Sequence, residues 1–357
     1  GTDSHLALPV IASSWARLDS VELVPFRAAI AAGVDVVMSA HIALPAIDSG
    51  LVRPGTVAPN ILTGILRDSL GFHGLIVTDA LNMAGVADLY GAEAGVRAFL
   101  AGADLLLQPA DPRAAIDAMA RAVDRGEITM ERLDTSVRRV LELKRRIGLF
   151  TRRTVPLDSI PAVVGNAEFQ ADAAAIAARS IVLVKDSAGV VYGLARARPP
   201  LTLVTYGEEE NRTVGTALAL ELRARGFAVT LARLWPASGG ASYDSVAAAL
   251  RRSPTAVFAT ADRPVAGRGA IGLPAALTAL IARTARERPT VLVSLGNPYV
   301  IGGLPEVGSY LIAWRSNAVA ERAVARALAG VTTISGRLPI ALPPSYARGW
   351  GLQRRVP

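Results

Sequence analysis

Two short stretches hold side chains whose types and spacing can do chemistry. In Asp3-Ser4-His5 a carboxylate stands two residues from an imidazole. Such a carboxylate can accept one ring N–H, fix the tautomer and raise the basicity of the other nitrogen, which is how a histidine becomes a general acid/base. The same spacing also arises by chance in loops. The second stretch ends in Asp79, directly after Leu75-Ile76-Val77-Thr78. An aspartate closing an apolar run is costly to place unless it is hydrogen-bonded or lies in a polar site. There it can serve as a nucleophile, a metal ligand or a helix N-cap.

Elements able to position these groups recur along the first 150 residues. An amphipathic helix, a short apolar run and a polar turn follow one another three times. Phe26 to Ala32 leads into Val34 to Ala40, Asn60 to Leu70 into Gly74 to Asp79, and Ala92 to Ala101 into Ala103 to Gln108. Continuous apolar runs of this length read as buried parallel strands, and their alternation with helices points to an α/β barrel or a doubly wound sheet. Each run ends in polar residues: Ser39 and His41, Thr78 and Asp79, Gln108 and Asp111. In parallel α/β folds the carboxyl ends of strands carry the site, so these positions are the functional candidates. A long charged helix from Arg113 to Ile147, broken near Gly126, reads as a solvated outer element.

Residues 151–166, with two prolines and no helical period, read as a linker. A second domain, 167–357, follows. Its strands are expected at Ile181 to Lys185, Leu201 to Thr205, Ala228 to Leu231, Ala256 to Thr260, Val291 to Ser294 and Tyr310 to Ala313, separated by Ala- and Arg-rich helices. That pattern suits an open, mostly parallel sheet with helices on both faces. Neither a G-x-G-x-x-G after a strand nor a P-loop occurs, which argues against dinucleotide binding.

Composition narrows the function further. With 51% hydrophobic and 19% charged residues, 357 residues can bury large cores. The net charge of +8 comes from arginines spread along helices, Lys144 and Lys185 being the only lysines. A nucleic-acid surface would instead cluster basic and aromatic residues. No apolar run reaches membrane-spanning length. The absence of cysteine excludes disulfides, thiolate catalysis and Cys-ligated metals, and fits a cytoplasmic as well as a secreted or periplasmic protein.

Residues 2–9 (TDSHLALP), 37–48 (VMSAHIALPAID), 70–79 (LGFHGLIVTD) and 101–104 (AGAD) resemble, in order, consecutive blocks of glycoside hydrolase family 3. The block ending in Asp79 is similar to the family's nucleophile strand. D-S-H is similar to its N-acetyl-β-glucosaminidase branch, in which a His-Asp dyad replaces the usual carboxylic acid. The turn 294–298 and residues 334–339 resemble the α/β sandwich domain that follows the barrel in many members. The resemblance implies the C-terminal part of a (β/α)8 TIM-type barrel over 1–150, followed by an open parallel α/β sandwich domain. It implies Asp79 as nucleophile, His5 as acid/base and Asp3 as the group that orients and charges His5, in a metal-free and cofactor-free double displacement.

The expected substrate carries a terminal β-linked N-acetylglucosamine, on a cell-wall fragment of peptidoglycan turnover, a chitin oligosaccharide or a glycoprotein. The alternatives are a β-glucosidase or β-xylosidase of the same family, or a non-catalytic carbohydrate-binding relative. An imidazole base carries no negative charge, so phosphate is also an admissible acceptor beside water. His41 is expected at a strand mouth, either lining the sugar pocket or making a structural hydrogen bond, and His73 in an exposed turn. A barrel needs about eight strand-helix units. Three precede the linker, so the resemblance implies that the barrel's N-terminal half, with the lysine-histidine and arginine elements that grip the sugar, lies outside this chain.

Overall fold

The computed structural model describes residues 2–187, 189–262 and 272–356. The chain divides into two compact units, Gly1–Pro156 and Leu157–Pro357.

In the first unit, α1 (Trp15–Arg17) and α2 (Val24–Ala31) precede β1 (Val36–Met38), and a wide-turned helical segment, Asn60–Ser69, precedes β2 (Leu75–Val77). The two strands pair in parallel, Val37 opposite Ile76. After α3 (Ala84–Tyr90) and α4 (Ala94–Ala101), the third apolar run forms a single parallel bridge, Val77 to Leu105, rather than the strand expected over 103–108. Its pairing ends where Gln108 takes a left-handed φ of 44° ahead of Pro109. Beneath these strands Leu62, Phe72, Ile76, Leu81, Val86 and Ala98 form one buried cluster. Val36 and Met38, on one face of β1, stay exposed, and among the described strands β1 pairs with β2 alone.

The long charged helix expected from Arg113 is two helices, α5 (Pro112–Asp124) and α6 (Met130–Arg146), separated at Gly126, whose φ is +71°. Asp111 caps α5 by accepting from the Arg113 and Ala114 N–H groups, with Pro112 opening the helix. Thr129 caps α6, whose last turn carries Lys144, Arg145 and Arg146 against the carbonyl end of its dipole.

The second unit opens with a short helix, α7 (Ile160–Val163), inside the stretch expected to lack helical structure; Pro161 is tolerated in its first turn. Then follow α8 (Ala167–Ser180), β3 (Val182–Asp186), α9 (Val190–Ala197), β4 (Leu201–Tyr206), α10 (Thr216–Ala224), β5 (Val229–Leu234), α11 (Gly240–Arg251), β6 (Thr255–Thr260), α12 (Ala275–Glu287), β7 (Thr290–Ser294), β8 (Ser309–Ile312) and α13 (Ala318–Leu328). The strand order is β3-β8-β7-β6-β4-β5, parallel throughout except for β3 against β8.

Alternate residues of these strands face opposite ways. Leu203, Val257, Val293 and Leu311 pack with α8, α9, α10 and α13, whereas Val204, Phe258, Leu292 and Ile312 pack with α11 and α12. Both faces are therefore dry, and the strands read as uninterrupted apolar runs. Glu321 on α13 is buried and accepts from the Gly215, Ala217 and Leu218 N–H groups, satisfying donors at the start of α10. In the turn after β7, a Cβ on Gly296 would stand 2.0 Å from the Asp262 carbonyl oxygen, so only glycine fits there.

Candidate active site

Asp79 stands two residues beyond β2, half-buried, and its Oδ1 accepts from the Ala80 N–H at 2.8 Å. It does not cap the following helix, because the N-cap of α3 is Met83, four residues on. Main chain braces the turn: Thr78 N–H donates to the Leu105 carbonyl, Leu81 N–H to the Leu107 carbonyl, and Thr78 Oγ1 accepts from Leu107 N–H.

The loop 3–7 is one turn, with the Leu6 and Ala7 N–H groups donating to the Asp3 carbonyl. His5 Nδ1 lies 2.8 Å from Asp3 Oδ1, which also accepts the His5 backbone N–H at 2.9 Å. A carboxylate can only accept, so Nδ1 carries the proton and Nε2 is the nitrogen left for proton transfer. The His5 side chain is half exposed and can meet a substrate.

His41 is fully buried, with Nδ1 2.9 Å from Thr56 Oγ1 and Nε2 2.9 Å from the Ala80 carbonyl oxygen. A carbonyl only accepts, so Nε2 carries a proton, and Nδ1 shares a hydrogen bond with Thr56 Oγ1, which in turn lies 2.9 Å from Ser39 Oγ. Both ring nitrogens are engaged, which leaves neither for a sugar in this arrangement; the imidazole reaches the site through the backbone beside Asp79. His73 is exposed, at the rim of a cavity of about 580 Å³ that Asp35, Gly74, Arg139 and Arg146 also line, at the ends of β1 and β2 away from Asp79.

Beneath the site lies a buried aspartate whose partners the sequence did not announce. Asp104 Oδ2 accepts from the Ile76 N–H at 3.0 Å and from Arg67 at 2.6 Å, and Oδ1 accepts from Ser136 at 2.6 Å and Arg139 at 3.0 Å. Burial alone would raise its carboxyl. The Ser136 hydroxyl, the Ile76 N–H and the Arg67 and Arg139 guanidiniums outweigh that, holding it below the ordinary aspartate range. Arg132, Ser136 and Arg139 lie three and four apart on one face of α6, so that part of the helix is an anchor rather than a solvated surface. A second buried carboxylate, Asp48, is held by Arg53 and Asn60.

Among the described residues no three His, Asp or Glu side chains converge as a metal cage. No described helix is long and apolar enough to cross a membrane.

The class defined by this arrangement is a mixed α/β protein dominated by parallel sheet, with a strand-end carboxylate and a carboxylate-bound imidazole in its first unit. Residues 1–143 match the glycosyl hydrolase family 3 N terminal domain. The beta-N-acetylglucosaminidase/beta-glucosidase of Cellulomonas fimi is 32% identical over 358 residues, covering 95% of this chain and 63% of that protein. Beta-hexosaminidase A of Pseudoalteromonas piscicida is 30% identical over 204 residues, 52% of this chain and 34% of that protein. The structure of a glycoside hydrolase family 3 beta-N-acetylglucosaminidase from Paenibacillus sp. str. FPU-7 superposes with a TM-score of 0.78 at 30% identity, covering 94% of this chain and 64% of that one. A beta-glucoside phosphorylase superposes with a TM-score of 0.79 at 25% identity, covering 94% and 62%. The first 143 residues thus match glycoside hydrolase family 3, and nearly the whole chain is similar to a member of that family. The chain spans just under two thirds of the length of the Cellulomonas and Paenibacillus relatives.

Proposed function

We propose that this protein is a retaining β-N-acetylglucosaminidase, releasing terminal β-linked N-acetylglucosamine by double displacement. The observation that carries the reading is the 2.8 Å contact between His5 Nδ1 and Asp3, on a loop whose Ser4 carbonyl accepts from the N–H of Gly85, in the first turn of the helix that follows Asp79. Asp79 attacks the anomeric carbon as His5 Nε2–H protonates the leaving oxygen, giving a glycosyl ester. Neutral Nε2 then takes a proton from the incoming water, and attack at the anomeric carbon frees Asp79. Asp3 stabilises the imidazolium that starts the cycle and is re-formed at its end. The relatives named for N-acetylglucosaminidase and hexosaminidase activity support this substrate class.

The reading extends to the architecture. Residues 1–150 are the C-terminal part of a TIM-type barrel, 151–166 a linker and 167–357 an α/β sandwich domain. The strand β1 supports it: among the described strands it pairs with β2 alone, whereas a barrel strand pairs on both edges. The test is the full-length protein, as encoded, assayed on aryl N-acetyl-β-glucosaminide, β-glucoside and β-xyloside. Preference for the N-acetylated sugar is expected, and preference for either of the others would move the protein to another branch.

A further inference from the structure

We propose that Gly85 is a positioning residue that seats the acid/base loop against the nucleophile turn. The inference rests on the roles of Asp79 and His5 proposed above. Gly85 is buried in the first turn of α3, and its N–H donates to the Ser4 carbonyl at 3.2 Å. A Cβ at this position would stand 3.0 Å from the Ser4 oxygen, 3.3 Å from the Ala7 oxygen and 3.5 Å from His41 Cβ. The two carbonyls bracket His5 in sequence. The third contact is the residue whose Nε2 holds the Ala80 carbonyl, one peptide from Asp79.

A glycine inside a helix is destabilising relative to alanine, because it loses more backbone freedom on folding. The backbone at Gly85 is helical and needs no glycine for its own sake. Close approach of the loop gives the position its purpose. The loop's other end is pinned where Ala43 N–H donates to Pro9 and Ile11 N–H to Ala43. Between those pins and the Ser4 contact, His5 stands on main chain held at both ends. On the other side, Gly85 belongs to the segment that begins at Asp79 and is braced at Leu81 and Met83. Gly85 is thus where the two catalytic groups are fixed relative to each other. An added methyl must push the loop outward by a few tenths of an ångström, moving Nε2 off the glycosidic oxygen while leaving Asp79 in place.

The test is Gly85→Ala in the full-length protein beside His5→Ala, with kcat/KM measured over aryl glycosides of graded leaving-group acidity and a disaccharide, and with melting temperature. General acid assistance is worth about 10²–10⁴-fold. Partial misplacement should therefore cost about tenfold or more on the disaccharide and little on the most activated aryl glycoside, steepening the dependence as His5→Ala does. Equal loss on every substrate, or a change in melting temperature alone, overturns the proposal. Should Gly85→Ala not fold, Ala7→Gly loosens the exposed loop without adding an atom to the buried seat, and should steepen the same dependence; absence of steepening overturns it. If His5→Ala itself loses equally on all substrates, the acid/base assignment falls and the seat with it. A steep His5→Ala with a flat Gly85→Ala removes the seat alone.

Discussion

His5 Nδ1 and Asp3 Oδ1 lie 2.8 Å apart, and the same carboxylate oxygen accepts the histidine's own amide, so the pair is locked within one turn of loop. Removing the imidazole should slow substrates in proportion to their need for a proton. His5→Ala is expected to lose about 10²-fold or more on a disaccharide and much less on an activated aryl glycoside. Asp3→Asn should act in the same direction, since it removes the charge that stabilises the imidazolium. Measured kcat/KM over a leaving-group series checks both. A uniform loss would mean that proton transfer comes from elsewhere.

His41 makes a structural prediction distinct from the catalytic ones. Replacing it by leucine strips a hydrogen bond from the Ala80 carbonyl and one from Thr56 in a fully buried setting. Each buried polar group left unpaired costs about 1–3 kcal/mol. Denaturant unfolding of His41→Leu should show a loss of that order, and an unchanged midpoint would show that water or a neighbour replaces the ring.

Asp104 gives a pH signature. Asp104→Ala should cost about 3–5 kcal/mol, because it strands buried guanidinium charge as well as a backbone N–H. Its carboxyl is held below its ordinary value of 3.8, so the group contributes stability in full above that value. The contribution is lost as pH falls through the lower, folded-state value. The stability gap between wild type and Asp104→Asn should therefore stay level from neutral pH down to about pH 5 and close in stronger acid. A gap that widens on acidification would contradict the assignment.

Phosphate offers a test of the acceptor. The base proposed is an imidazole rather than a second free carboxylate, so an anionic acceptor meets no repelling charge from it. Added inorganic phosphate should raise turnover of an activated glycoside, whose glycosylation is fast, and yield a glycosyl phosphate. Unchanged rates with free sugar as sole product would assign the protein to hydrolysis alone.

The strands of the second unit were legible because both faces of that sheet are dry, so the runs ending near Lys185, Thr205, Thr260 and Ser294 carry no polar alternation. Only β3 departs from the parallel reading, since apolar content says nothing of direction. In the first unit the polar strand ends were visible, but their partners were not. His41 is held by Thr56 and Ala80, from separate segments, and no local pattern joins them. The stripe Arg132, Ser136, Arg139 looks like any solvated helix face until Asp104 is placed beneath it. Gly85 carried no signal of its own, because its reason is a carbonyl more than eighty residues away in sequence. Asp3, His5 and Asp79 stand out in the sequence because residue type coincides with position in a family-like block.

The central claim is that Asp79 forms the covalent intermediate. A 2-fluoro or 5-fluoro glycosyl reagent, incubated with the full-length protein and followed by peptide mass spectrometry, tests it directly. Labelling of the peptide containing Asp79, at the carboxylate itself and absent in Asp79→Asn, is the expected result. A label on any other carboxylate would contradict the account.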